Sequence, residues 1–213
     1  MKDISWYEQV ALIVPGSLLL FGLLIMEPGL QSLFVNPSMT VGGLALFLVI
    51  AYAVGHLVAA CGNLLEALVW APVGGMPSNW IRHRRPRILH ENEFVGLAGK
   101  LASRHQRSAP DLLELSSQEW KAAFHLIYRD VLSSGSYGRV DVFNGNYGMS
   151  RGMAVACLLL AIVVVVRQPP DWISWMLASL GAGALFIVRM VRFGMHFARE
   201  VFYRFMLLPD QRT

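Results

Sequence analysis

A histidine, an asparagine and a glutamate interrupt the most apolar stretch of this sequence. His56, Asn63 and Glu66 fall inside residues 41–70, separated by seven and then three positions, with Tyr52 one turn before His56. At helical spacing these intervals place the three near one face. Ionisable groups in a long apolar run are costly in hydrocarbon, so each implies a partner, water or a site. An imidazole with a carboxylate suits acid–base chemistry, with His56 as general base and Glu66 orienting it. The competing arrangement is structural: His56 hydrogen-bonds a neighbouring helix and Glu66 pairs with a cation. Arg151, Arg189 and Arg192 are the cations expected at the level of Glu66. The expected polar seam is therefore His56, Asn63, Glu66, Arg151, Arg189 and Arg192, serving as helix glue, as a proton or ion path, or as the wall of a small pocket.

Two basic clusters have a different chemistry. Arg82, Arg84, Arg85 and Arg87 follow Trp80, and such a cluster beside an apolar run is drawn to anionic lipid by about 1 kcal/mol per Lys or Arg. Farther on, Arg189, Arg192, His196 and Arg199 recur at intervals of three, four and three, one face of a helix that could bind lipid phosphates or line a pore mouth. Nucleic acid is the minor alternative for this charge. The run from Arg85 to His90 has the loose Rx4H spacing of HEPN ribonucleases, but Pro86 opposes the helix such a site needs. The glycines and serines of 133–138 lack the Lys-Ser/Thr that completes a phosphate loop. Cys61 and Cys157 stand far apart without a CxxC spacing or a metal-ligand cluster. Neither a metal nor a cofactor is expected.

The elements that must position these groups follow from composition. The chain has 213 residues, 55% hydrophobic and only 15% charged, with a mean hydropathy of +0.48. A water-exposed surface of this size does not tolerate that balance, so lipid must cover much of it. A crossing needs roughly 20 apolar residues. Residues 10–26 supply a first span with Pro15-Gly16 as a kink, Trp6 and Tyr7 lie at its interface, and no cleavable leader is evident. Residues 41–70 supply a second span that projects beyond the bilayer. Residues 152–166 are too few alone and must borrow from 147–151, and residues 172–188 make the fourth after the turn Arg167–Asp171. Gly181 and Gly183 permit close helix approach there without forming GxxxG.

The fold class expected is all-α: a polytopic membrane protein with four transmembrane helices and a helical cytoplasmic extension. Residues 1–71 hold the first helix pair, 72–146 a basic helical loop region, 147–192 the second pair, and 193–213 an amphipathic basic tail. Within the loop, Phe94, Leu97, Ala98 and Leu101 repeat at helical spacing. Ser116 with Glu119 forms a capping box ahead of Trp120, Phe124, Ile127 and Val131. The apolar faces of these two helices need partners, whether each other, the extended spans or another subunit. Lys and Arg crowd the loop and the tail, whereas residues 27–40 have none and the last turn has only Arg167. This bias expects both termini and the loop in the cytoplasm, in a membrane such as the bacterial inner membrane.

The function expected is that of a self-associating membrane interaction protein, a homo-oligomer in a bilayer that includes anionic lipid. It could act as a channel-like or membrane-disrupting effector, as in bacterial defence, controlled through a cytoplasmic protein partner. The alternative is an intramembrane enzyme acting on a lipid or isoprenoid-like phosphate through His56 and Glu66.

Overall fold

A computed structural model describes residues 6–27, 41–83, 88–105, 114–135 and 138–209. The helices are α1 (Trp6–Met26), α2 (Val41–Trp70), α3 (Glu91–His105), α4 (Ser117–Ser133), α5 (Gly138–Arg167) and α6 (Trp172–Met206). Short 3-10 turns cover Ala71–Val73 and Pro77–His83, and no strand occurs among the described residues. The protein is thus all-α, and α1, α2, α5 and α6 are long and apolar enough to cross a membrane. The described chain divides into two compact units, residues 1–68 with 145–191, and residues 69–144 with 192–213.

The first unit is built by close approach of three helices. Gly16 and Gly55 let α1 and α2 touch backbone to backbone: a Cβ on Gly16 would stand 1.9 Å from the Ala51 carbonyl oxygen, and one on Gly55 would stand 2.2 Å from that of Leu12. No side chain fits at either place. Helix α5 lies against α1 through Gly152, where a Cβ would meet the Pro15 ring at 2.7 Å, and through Leu160, which fills the space beside Gly22. Contacts that advance together in number (Ala11 with Gly148, Pro15 with Gly152, Gly22 with Leu160) make α1 and α5 parallel. At their C-terminal ends Arg167 Nη2 pairs with Glu27 Oε1 at 2.5 Å. The core between the three helices is Leu19, Val58, Val155, Ala156 and Leu160, with Leu20, Leu24 and Ala51 forming a second cluster.

Two expectations about the later spans change in detail. The third apolar run does not draw on five preceding residues alone: α5 begins at Gly138, well ahead of residue 147. Of the two glycines in α6, Gly183 packs on α5 beside Cys157 Cβ and the Ala154 carbonyl, while a Cβ on Gly181 would meet nothing within 4 Å.

The second unit has an aromatic and an ionic part. The α4 capping box is complete, with Glu119 N–H donating to Ser116 Oγ and Ser116 N–H to the Glu119 carboxylate. Hydrogen bonding to its carboxylate from the Ser116 hydroxyl, and then from the Ser116 N–H, holds the Glu119 carboxyl below its usual range. Trp120, Ile127 and Val131 are buried one turn or two apart. The rings of Trp120 and Phe124 lie 6.1 and 5.8 Å from that of Phe202 on α6, and Tyr128 lies 6.0 Å from Phe197. The apolar face of α4 therefore finds its partner on the tail of the same chain. Trp120 Nε1 donates to the Ser78 carbonyl at 3.0 Å, and Arg104 ties α3 to α4 through Asp130 at 2.7 Å and to the Pro209 carbonyl at 2.8 Å.

Candidate functional site

The polar seam expected along α2 resolves into separate arrangements. Glu66 Oε2 accepts a hydrogen bond from Arg151 Nη1, joining α2 to α5. Local sequence prepares both partners. Gly62, one turn before Glu66, leaves room for the arginine, since a Cβ there would stand 3.1 Å from Arg151 Nε. Tyr147, one turn before Arg151, puts its ring 5.9 Å beneath the guanidinium. The side chains are 20% and 26% exposed, so the pair is largely removed from solvent and each charge depends on the other. Arg151 Nε is buried with no hydrogen-bond partner among the described residues, as is Ser150 Oγ on the same helix.

His56 and Asn63 do not join this pair. His56 is exposed and packs edge-on against Tyr52, ring centroids 4.7 Å apart, and Asn63 is exposed as well. The reason is angular. Ten residues from His56 to Glu66 fall short of a whole number of turns by about 80°, and that offset separates the inward face from the outward one. Ala51, Gly55, Val58 and Gly62 are buried on one side of α2, whereas Ala53, His56, Ala60, Asn63 and Ala67 are exposed on the other. His56 and Asn63 thus lie apart from the Glu66–Arg151 pair; Arg189 is exposed in the first unit, and Arg192 is exposed in the second.

His196 and Arg199 line a cavity of about 310 Å³ in the second unit, together with Arg139, Phe143, Glu200 and Tyr203. The His196 ring stacks on Phe143 at 5.5 Å, Arg139 lies 5.9 Å from the same ring, and Arg199 lies 5.6 Å from Tyr203. Arg84, Arg85 and Arg87 lie outside the described residues, with Pro86, and Arg82 is described in its backbone alone. No group of three or more His, Cys, Asp or Glu side chains arranged to hold a metal occurs among the described residues. This chain matches no protein-family model, no curated protein and no solved structure.

Sequence reasoning missed Gly62 and Tyr147, although each sits one turn from its partner and could have been found at i, i+4. Glu200 and Tyr203 lie on α6 itself, one turn from His196 and Arg199, and could have been found in the same way. Arg139 carried no comparable signal, since it reaches the cleft only where α5 meets the end of α6.

Proposed function

We propose that this chain is an integral membrane protein that works by associating with copies of itself through the outward face of α2. The observation that carries the proposal is the placement of His56, midway along an apolar helix, and of Asn63 two turns nearer its C-terminal end, both facing away from their own unit. A polar side chain left against lipid is unfavourable, and a partner helix relieves that cost. Leu46, Val49, Ala53, His56, Ala60, Asn63 and Ala67 alternate at three and four positions and all are exposed, the a/d repeat of a left-handed coiled coil. Three alanines allow close approach, and a carboxamide or an imidazole, each able to donate and accept, can pair with the same group on another copy. Catalysis by His56 with Glu66 has less support, because the two side chains have different partners on different faces.

The arginine bias supports a cytoplasmic location for both termini and the basic region, in a plasma membrane such as the bacterial inner membrane. The assembly is channel-like or membrane-disrupting and is controlled through its extramembrane helices.

Cysteine scanning tests the interface. In a Cys61→Ser, Cys157→Ser background, Ala53→Cys, His56→Cys, Ala60→Cys and Asn63→Cys should cross-link between copies, and Leu185→Cys on α6 should not. His56→Leu and Asn63→Leu should each weaken association roughly fivefold, from about 1 kcal/mol per interhelical hydrogen bond. A wild-type protein that stays monomeric in nanodiscs and detergent defeats the proposal. Dye leakage from vesicles holding the wild type but not Asn63→Leu supports the channel-like role, and equal leakage from both counts against it.

A further inference from the structure

We propose that the cleft lined by Arg139, Phe143, His196, Arg199, Glu200 and Tyr203 binds the phosphate group of a small anionic ligand. The charge balance is the first ground. Glu200 is the sole carboxylate of the lining, and its Oε1 is already held by Arg204 Nε at 2.9 Å. Arg139 Nε reaches the same oxygen only at 3.9 Å, an ion pair too long for a hydrogen bond. Arg139 and Arg204 thus share one carboxylate, and Arg199 and the protonatable His196 add to the positive side. Glu93, outside the lining, accepts from the Tyr203 hydroxyl and from the His90 N–H. These bonds, with Arg199 nearby, hold its carboxyl below the usual range. The lining itself holds two arginines, Arg139 and Arg199, against the one carboxylate of Glu200, which leaves the cleft cationic.

Preorganisation is the second ground. Phe143 fixes His196 by stacking and lies under Arg139, while Tyr203, anchored on Glu93, lies under Arg199. Aromatic contacts restrict these long side chains before a ligand arrives, which lowers the ordering cost of binding. Guanidinium forks match the oxygens of a phosphate better than a single ammonium does, and the positive side of this cleft is arginine with no lysine. The volume exceeds what a bare phosphate ion needs, so the group is esterified to a small organic part that the rings can cover. A lipid headgroup and a soluble phosphomonoester both present that chemistry.

The test uses the full chain in phosphatidylcholine nanodiscs. Calorimetric titration with inorganic phosphate and glycerol 3-phosphate reads the soluble source. The shift of the unfolding midpoint when phosphatidic acid is added to the nanodisc reads the lipid source. Arg139→Gln and Arg199→Gln, both at exposed positions and so compatible with folding, should each weaken binding about tenfold. Arg129→Gln, exposed on α4 outside the cleft, should leave it unchanged. Binding in either arm with this variant pattern supports the site and tells which source it reads. The proposal is overturned by an absence of binding in both arms, by wild-type affinity in both cleft variants, or by an equal loss in Arg129→Gln, which would mark general attraction to the basic surface.

Discussion

Glu66 and Arg151, 85 residues apart in sequence, meet as an ion pair between α2 and α5, and Gly62 makes the space in which they do so. Removing one charge strands the other. Glu66→Gln and Arg151→Gln should each cost about 2–4 kcal/mol, somewhat below the value for a fully buried pair because a fifth to a quarter of each side chain is exposed. The double variant should lose less than the sum of the singles. Unfolding in a detergent series measures all three, and strictly additive losses would show that the contact contributes nothing of its own.

The α1–α2 contact depends on two missing side chains. Gly16→Ala and Gly55→Ala place a methyl group against backbone, which cannot rotate away, so each should destabilise by more than the about 1–3 kcal/mol of ordinary overpacking. Gly181→Ala meets open space and should be neutral or slightly stabilising. Thermal unfolding midpoints of the three proteins check this, and equal effects at all three sites would contradict the packing described.

Arg104 is the tie of the second unit. It spans Asp130, which is 6% exposed, and the Pro209 carbonyl. Arg104→Met leaves that buried carboxylate with the longer contact to the exposed Arg129 Nη2, 3.6 Å from Oδ1, at a cost below the about 3–5 kcal/mol of a fully broken buried pair. Hydrogen exchange should accelerate along α4 while the first unit keeps its protection. Unchanged exchange in α4 would count against Arg104 as a tie.

The carboxyl of Glu93 introduces a pH dependence whose sign is fixed. Its pKa lies below the ordinary value of 4.5, chiefly through the Tyr203 hydroxyl. The unfolded chain therefore binds more protons in that window, and stability rises with pH through it. The contribution is complete above about pH 4.5 and is lost as pH falls through the lowered pKa. Tyr203→Phe should flatten the acid limb of the stability profile in this range, and a steeper limb would contradict the assignment.

Much of this protein was legible without a fold. The α4 capping box needs only Ser116, Glu119 and the two residues between them, and the four apolar runs need only bilayer thickness as a ruler. Local rules decide such features because every participant lies within one or two turns of the chain. The pairing of Glu66 with Arg151 was among three arginines that sequence could offer, and its selection required the register of α5 against α2.

The outward position of His56 shows the limit most clearly. Sequence placed it near the face of Glu66, although ten residues set the two about 80° apart; which side of α2 turns inward could not be read from spacing. Gly16 and Gly55 decide the matter: backbone contact with α1 turns one side of α2 inward and leaves His56 and Asn63 on the other. The cleft around Arg139 and His196 likewise exists only through tertiary packing, since its lining comes from segments more than fifty residues apart. The sequence determined which segments are helical and apolar; which polar groups meet was decided by close packing, where the absence of a single Cβ sets how one helix is rotated against the next.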